Sequence, residues 1–373
     1  MPPSRRCGLY VHLPFCLHRC SYCAFVSTTD LALAPAVVEA TTADIRRHRR
    51  RRVLATLYLG GGTPSLVAPQ LLGQLFAAIR SAFTLEPGAE VTLEANPEDV
   101  TPGALAAWRG LGVTRLSLGV QALDDRVLRL LERRHDAERA RVAVGSALAA
   151  GFSVSVDLML ALPLLSLEAV EEGVREVVAL GPQHVSVYLL EVDKPHRLGD
   201  LARQRPELFP GEDEAAQAYL AAARVLTRAG FRHYEVSNFA RPGFQARHNL
   251  RTWRQRPLLA AGVAAHGHSG RARWANLESP AAYLRAVGRG ERPLAWRRVL
   301  SEDELERERV MLALRLAEGV EWATAQAVAR RLPAFARRLD DFLTLGLARL
   351  GSGRLRLSRR GWLVSSELLQ TLW

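Results

Sequence analysis

The sequence contains few cysteines, almost no lysine and no long apolar run. Its four cysteines all lie between Cys7 and Cys23 in a chain of 373 residues, a crowding that excludes the disulfide framework of a small secreted protein. Lys194 is the only lysine, so arginine supplies nearly all of the basic charge behind the net +12. This skew indicates codon usage rather than a nucleic-acid partner, and we expect no nucleic acid to bind.

The sequence also shows no sign of membrane insertion or export. No apolar run approaches the roughly 20 residues that span a bilayer, and the start, MPPSRRCGLYVH, lacks the apolar core of a secretory signal. Clustered free thiols persist in a reducing compartment. We therefore expect a cytoplasmic protein.

Three of the cysteines form a C-x3-C-x2-C motif directly after a short apolar run. Cys16, Cys20 and Cys23 follow Gly8–Leu13, which is predicted to be a strand. Thiolates bind iron–sulfur clusters and soft metals, and three thiolates this close in sequence can reach one cluster from a single loop. A cubane cluster has four iron corners, so one iron would stay open to a ligand from outside the chain. That open iron is where we expect the chemistry.

Zinc is the alternative metal for this motif, because zinc also binds cysteine but needs four ligands. The fourth ligand could come from His12, His18 or Cys7. The usual zinc pattern has two ligand pairs that lie far apart in sequence, and this motif does not follow it. The motif therefore favours a cluster over zinc.

Apolar β-rich runs alternate with helical patterns from the cysteine motif to Leu190. Alternation at this spacing predicts βαβ units and a parallel sheet, and six such units fit a partial, open (β/α) barrel. The predicted strands are Gly8–Leu13, Val53–Leu59, Glu90–Glu94, Thr114–Leu118, Ser153–Met159 and His184–Leu190. The predicted fold class is therefore α/β.

The pattern changes after about Arg273. Helices are predicted at Ser301–Leu316, Trp322–Arg331 and Ala334–Leu345, followed by a short β-hairpin. Three helices and a hairpin predict a mostly helical, winged-helix-like domain. We therefore divide the chain into a barrel (residues 1–235), a connecting segment (236–300) and a C-terminal domain (301–373).

A nucleic-acid-binding winged helix is a further alternative for the C-terminal domain. Its third helix carries Asp340 and Asp341 among its arginines, a poor surface for a phosphate backbone. Fold alone does not determine function. We therefore rank this alternative last.

Glycines and polar residues follow the predicted strands. In (β/α) barrels the loops at the carboxyl ends of the strands converge on one mouth, where sites are built. Gly60–Gly62 follows the second strand, and glycine lets the backbone approach a ligand closely. Glu94 ends the third strand, where a buried carboxylate is costly unless it is paired. The ordered series predicts a ligand site at the barrel mouth.

The stretch YVHLPFCLHRCSYC resembles the cluster loop of the radical S-adenosylmethionine (SAM) enzymes, in the branch that contains HemN and HemW. The resemblance implies a [4Fe-4S] cluster held by Cys16, Cys20 and Cys23, with the open iron chelated by SAM. It also implies a set of SAM-contacting residues. They are Tyr10, Gly61, Gly62, Thr63, Glu94, Gln121, Arg133 and Asp157.

Several positions depart from the family pattern. The loop after the fifth strand has Ala161 and Leu165 where the family usually has glycine and glutamine. Alanine at a position that requires a positive φ costs about 1 kcal/mol or more. HemN-type enzymes carry a further cysteine two residues after the third cluster cysteine, where this chain has Phe25. That position favours the HemW side of the branch.

The segment HNLRTW, from His248 to Trp253, resembles the family's H-N-x-x-Y-W motif, with Thr252 in place of tyrosine. The resemblance implies a haem chaperone that binds haem, the cluster and SAM, and delivers haem to respiratory haem proteins. Imidazole is a common axial haem ligand, so His248 is the candidate ligand, with His266 second. Peripheral contact with a membrane and a homodimer are further expectations.

The competing function is oxygen-independent coproporphyrinogen III oxidase, a coproporphyrinogen dehydrogenase of porphyrin biosynthesis. Phe25 and the short stretch before the first strand argue against it. The sequence leaves open whether SAM is cleaved or only held, and therefore whether the protein is an enzyme in the strict sense.

Overall fold

The computed structural model describes residues 6–48 and 52–373. Residues 1–5, part of the stretch used to predict the compartment, lie outside it. The strands are β1 (Arg6–Leu13), β2 (Val53–Gly61), β3 (Thr84–Ala95), β4 (Arg115–Gln121), β5 (Ser153–Leu160), β6 (His184–Leu189), β7 (Arg232–His233), β8 (Asn238–Ala240), β9 (Leu258–Gly262), β10 (His266–Ser269), β11 (Ala272–Asn276), β12 (Leu294–Val299), β13 (Val320–Glu321), β14 (Ala348–Gly351) and β15 (Arg354–Leu357).

Helices cover the sheet and build the C-terminal region. They are α1 (Ala34–Arg47), α2 (Pro69–Ala82), α3 (Pro102–Gly110), α4 (Asp125–Leu130), α5 (Ala137–Ala149), α6 (Leu167–Ala179), α7 (Arg197–Gln204), α8 (Glu212–Arg228), α9 (Arg247–Trp253), α10 (Pro280–Gly288), α11 (Glu302–Ala313), α12 (Trp322–Arg331), α13 (Pro333–Thr344), α14 (Arg359–Leu363) and α15 (Ser365–Leu369). In the described ranges, no helix is long and apolar enough to cross a membrane.

The six predicted strands are confirmed as β1 to β6. They lie side by side in chain order, and every neighbouring pair is parallel. Residues such as Leu9, Val11, Leu57 and Leu59 are fully buried on the helix-covered side. The alternate residues carry the polar groups, because successive side chains of a strand point to opposite faces. The barrel interior is therefore largely polar.

The sheet continues on both sides of this parallel core, which the sequence analysis did not predict. Its order is β12-β11-β10-β9-β1-β2-β3-β4-β5-β6-β8-β7. Strand β9 pairs in parallel with the free edge of β1, and β10 to β12 continue antiparallel. In the described part of the chain the sheet ends at β12 and β7, so the barrel stays open.

The C-terminal region has a hydrophobic core of its own. Val310, Phe335, Phe342, Leu355 and Leu368 are buried together there. Helices α11 to α13 pack beside a small sheet in the order β13-β15-β14. This arrangement confirms the helical C-terminal region, whereas the exact domain boundaries remain predictions.

A buried carboxylate ties α1 to the sheet extension. Tyr283 of α10 donates a hydrogen bond to Asp44 Oδ2 at 2.9 Å, and Asn276 of β11 donates to the same oxygen at 3.0 Å. The Gly262 N–H, at the end of β9, donates at 3.3 Å. Burial raises the pKa of Asp44, and these donors partly offset that effect. One oxygen thus joins four elements.

Replacing Tyr283 with phenylalanine should destabilise the protein by about 1.5–3 kcal/mol, because a fully buried carboxylate loses a hydrogen-bond donor. Urea unfolding measures this change. Ser366→Ala is the control, since it removes the hydroxyl of an exposed residue. The control should shift the free energy of unfolding by less than about 0.5 kcal/mol. Equal effects of the two substitutions would contradict the role given to Asp44.

Candidate cluster and cofactor site

A cavity of about 690 Å³ opens at the carboxyl ends of the barrel strands. The three motif cysteines line it, together with seven of the eight residues predicted to contact SAM. Those seven are Gly61, Gly62, Thr63, Glu94, Gln121, Arg133 and Asp157. The structure therefore gathers at one mouth residues as far apart in sequence as Cys16 and Asp157, because parallel strands place their carboxyl ends at one edge of the sheet.

Glycine at the end of β2 holds the cysteine loop in place. The Gly62 N–H donates to the Leu13 carbonyl at 2.9 Å, and the Thr63 N–H donates to the Phe15 carbonyl at 2.6 Å. A Cβ atom at Gly62 would lie 2.5 Å from the Phe15 oxygen, closer than packed atoms can approach. Any side chain at Gly62 would therefore push the loop away from the strand.

The three thiols are free, half-buried and open to the same cavity. Cys16 Sγ lies 3.7 Å from Thr63 Oγ1, and Cys20 Sγ lies 3.6 Å from Arg133 Nη1. Burial raises the pKa of the Cys16 and Cys23 thiols, and the other thiols of the loop raise it further. Thiols that share a cavity and repel as thiolates are suited to a cation or a cluster.

The donor set fits an iron–sulfur cluster better than a single ion. Across residues 6–48 and 52–373, no group of three histidine, cysteine or acidic side chains is spaced to hold one metal ion. In a cubane each thiolate binds a different iron, so the thiols need not converge on a single point. The guanidinium beside Cys20 would offset the negative charge of a thiolate-bound cluster. Its Nε is buried without a hydrogen-bond partner.

Arg133 also joins the cysteine loop to the ends of β3 and β4. Its Nη2 donates to Asn96 Oδ1 at 2.6 Å and to the Gly119 carbonyl at 2.8 Å. Its Nη1 lies 3.4 Å from the Tyr22 hydroxyl. Asn96 was not among the predicted site residues, although its position directly after β3 follows the same rule that selected Glu94.

Two buried carboxyl groups line the other side of the cavity. Tyr58 donates to Glu94 Oε1 at 2.6 Å, and the Gly61 N–H donates to Oε2 at 3.1 Å. Ser117 donates to Asp157 at 3.0 Å. Burial raises the pKa of Glu94 to about 7 and also raises the pKa of Asp157. Within the described residues, the groups that shift these two pKa values include no cation.

The last residue of β4 and the loop after β5 adopt backbone conformations that L-residues seldom occupy. Gln121 has a φ of 67°, and Ala161 and Leu164 have φ values of 56° and 73°. The positive φ of Ala161 confirms the conformation in which a glycine was expected. A strained backbone conformation persists only where the surrounding structure holds it in place. Such conformations are concentrated at ligand sites.

Two predicted site residues lie away from the cavity. Tyr10 is inside the barrel, where its hydroxyl lies 3.2 Å from His12 Nδ1. His248 is 5% exposed, and its Nδ1 lies 3.0 Å from Thr56 Oγ1. Burial lowers the pKa of His248 to about 3. The structure does not bring either side chain to the mouth, and the haem role of His248 remains a prediction.

The cavity has a second wall that the sequence did not indicate. Tyr188, Tyr219, Val236 and Trp362 line it opposite the cysteines. Trp362 belongs to α14, so the C-terminal region helps to close the mouth. Its indole donates a hydrogen bond to the Leu314 carbonyl at 2.8 Å, which fixes the ring in place. These four residues reach the cavity wall only through packing between distant parts of the chain, so no local sequence motif could have predicted them.

A smaller cavity of about 310 Å³ lies between α1 and the sheet extension. Arg47, Arg52, Arg292 and Arg297 are among its lining residues. It contains no predicted site residue. The larger cavity is therefore the candidate functional site.

Glu94→Gln should change how stability depends on pH. The pKa of Glu94 rises from its ordinary 4.5 to about 7 in the folded protein, so the unfolded chain ionises first as the pH increases. Ionisation of Glu94 should therefore cost the folded protein stability between about pH 4.5 and 7, by about 3 kcal/mol in total. Urea unfolding across this range should show the loss in the unaltered protein relative to Glu94→Gln. Parallel pH curves would contradict the assignment.

Comparison with known proteins agrees with this geometry. Residues 10–177 match the family model of the radical SAM superfamily, and residues 300–364 match that of the HemN C-terminal domain. The structure of coproporphyrinogen III oxidase (HemN) from Escherichia coli superposes with a TM-score of 0.86, covering 99% of this chain and 90% of that one. At 23% identity, this likeness shows the fold alone.

Two curated relatives are similar over nearly the whole chain. The heme chaperone HemW of Mycobacterium tuberculosis is 36% identical over 99% of this chain and 95% of its own length. The mitochondrial radical S-adenosyl methionine domain-containing protein 1 of Bos taurus is 36% identical, over 100% of this chain and 88% of its own. The chain therefore belongs to the HemW family of the radical SAM superfamily, whose cofactors are a [4Fe-4S] cluster and SAM.

Proposed function

We propose that this protein is a haem chaperone of the HemW type. It binds haem, holds a [4Fe-4S] cluster and SAM at the barrel mouth, and passes haem to haem-receiving respiratory proteins. One observation carries the proposal: three free cysteines of one loop open into a cavity shared with the strand-end residues, in a chain similar over its whole length to HemW chaperones.

The roles of the site residues follow from their positions. Cys16, Cys20 and Cys23 would hold the cluster, and Arg133 would offset its negative charge through Cys20. The backbone of Gly61–Thr63 would lie along the methionine part of SAM, because these residues line the cavity beside the cysteines. When bound, the cluster and SAM supply one-electron chemistry at the sulfonium, while the protein positions and shields them.

The carboxyl side of the cavity supports SAM as the ligand. SAM carries a positive sulfonium and a positive amino group, and Glu94 and Asp157 are buried acids without a cationic partner within residues 6–48 and 52–373. A nearby cation favours the ionised form of an acid. The positive groups of SAM would therefore supply the cationic partner that these two buried acids lack. Gln121 supplies a further polar contact at the rim.

Haem recipients need a surface on which to dock. Leu17 and Phe25, in the cysteine loop, are 42% and 71% exposed, and exposed apolar side chains near a site favour protein contacts. We therefore propose that a recipient docks beside this loop. The net charge of +12 would support peripheral contact with an anionic membrane surface. Residence in the cytoplasm and a homodimer complete the proposal.

The competing function is oxidative decarboxylation of coproporphyrinogen III. The likeness to HemN favours it, but at 23% identity that likeness concerns the fold. Phe25 stands where HemN-type enzymes have a further cysteine. The two curated relatives described above, each 36% identical to this chain, are named as a heme chaperone and as a radical S-adenosyl methionine domain-containing protein. Neither name is that of an oxidase. We therefore rank the chaperone first.

Removing any of the three motif cysteines should abolish the cluster. Anaerobically prepared protein should contain about four iron and four sulfide per chain, and Cys16→Ala, Cys20→Ala or Cys23→Ala should lose most of both. Cys7→Ala is the matched control, because Cys7 is buried in β1 away from the cavity. Iron and sulfide analysis measures the result. Loss of the cluster in the Cys7 variant, or one zinc per chain in the unaltered protein, would contradict the assignment.

A single anaerobic preparation can separate the chaperone from the oxidase. Incubated with SAM, a reductant and coproporphyrinogen III, the protein should form no protoporphyrinogen. Titrated with haem, the same preparation should develop a Soret band that saturates. Protoporphyrinogen formation at catalytic turnover would support the oxidase instead. Failure to bind haem would refute the chaperone.

A further inference from the structure

We propose that His266 is the axial ligand of bound haem and that Trp296 packs against the porphyrin beside it. This inference rests on the haem binding of the proposed function. It places haem on an exposed face at the rim of the barrel mouth, outside the cavity that holds the cysteines.

Hydrogen bonding and exposure together single out His266 among the histidines. Nine of the ten histidines place a ring nitrogen within hydrogen-bond distance of another protein group. They are His12, His18, His48, His135, His184, His196, His233, His248 and His268. Iron ligation requires a ring nitrogen with a free lone pair that the haem can reach, and all nine of these rings are buried or only partly exposed.

His266 is different in both respects. It is the first residue of β10 and its side chain is exposed. Among the described residues, the ring makes no hydrogen bond, and its aromatic contact is with Trp296. The two ring centroids lie 5.9 Å apart, with an angle of 72° between the planes. An imidazole in this setting can turn a nitrogen toward an approaching iron.

The sheet register places His266 and Trp296 on one face. His266 pairs with Ala275 of β11, and Ala275 pairs with Trp296 of β12, so the three side chains point the same way across the strands. Ala275 between them is 3% exposed, because the two rings meet above it. Trp296 is 46% exposed, and a porphyrin face would cover an indole that otherwise meets water.

The face adjoins the cysteine loop. His12 pairs with Gly262 of β9, four residues before His266, and the charge of His266 adds to the burial that lowers the pKa of His12. His12 Nε2 in turn lies 3.1 Å from the Val26 carbonyl, at the end of the cysteine loop. Haem on His266 would therefore lie beside the exposed Phe25 region proposed for docking.

His248 lacks these properties. Its ring packs 5.0 Å from the Tyr58 ring, and its backbone N–H donates to Glu90 Oε1 at 2.8 Å. Glu90 is held in turn by Arg115 at 3.1 Å. Haem could reach His248 only if α9 left this buried network. The geometry therefore favours His266 of the two histidines.

The bonding suits a protein that must release its haem. A lone pair of the neutral imidazole replaces a water on the haem iron, and no electron is transferred. One axial bond and one aromatic contact leave the opposite haem face open to a ligand from the recipient. A closed pocket would hold haem more tightly but would block that exchange.

The test is haem titration of the full-length, anaerobically prepared protein, followed by absorbance and electron paramagnetic resonance. His266→Ala should weaken haem affinity on the order of tenfold or more and remove the spectral signature of imidazole ligation. Added free imidazole should restore that signature in the variant. Trp296→Ala should weaken affinity several-fold while keeping imidazole ligation.

Two variants serve as controls. His268→Ala changes the histidine two residues further along the same strand, whose Nε2 lies 2.9 Å from the Arg256 carbonyl, and should leave the spectrum unchanged. His248→Ala should do the same once its thermal unfolding shows that it is folded. Unaltered haem affinity and spectrum in His266→Ala, or loss of imidazole ligation in folded His248→Ala instead, would overturn the inference while leaving the chaperone intact. Absence of haem binding by the unaltered protein would refute the chaperone and the inference together.

Discussion

The site depends on the contact between the backbone of the cysteine loop and the end of β2. Gly62 has no side chain, so the Phe15 carbonyl can lie where a Cβ atom would otherwise be, and two backbone hydrogen bonds join the segments there. This contact fixes the height of the three thiols above the sheet. Arg133 then holds the far side of the loop to β3 and β4. The thiols are thereby positioned before any metal binds.

The cavity is electrically divided. A guanidinium lies on the thiol side, next to Cys20, and two buried acids, Glu94 and Asp157, lie on the other. An anionic cluster and a cationic sulfonium compound would each meet the opposite charge. Because charges interact more strongly in a buried, low-dielectric site than in water, this division orients the two cofactors relative to each other. The acids can stay buried because polar groups of the barrel interior, such as Tyr58 and Ser117, donate hydrogen bonds to them.

Sequence patterns predicted the parallel core and most of the mouth, because both depend on local alternation and on strand ends. They did not predict β9 to β12. Strand β9 reads Leu-Leu-Ala-Ala-Gly, with no β-branched residue, and pairs with a strand some 250 positions earlier, so local propensity says little about it. For the same reason the sequence identified His248 through its motif but could not predict that its side chain is buried. Burial by Tyr58 and Glu90 is a property of the folded chain.

The parallel pairing of β1 with β9 has a consequence for synthesis on the ribosome. One edge of the first strand stays unsatisfied until Leu258–Gly262 has emerged, and Asp44 of α1 waits for partners as distant as Tyr283. Contacts this far apart in sequence form late and slow folding. The nascent amino-terminal half therefore exposes an open strand edge for much of translation. Such a chain would benefit from holdase protection until the segment that carries β9 and Tyr283 has emerged.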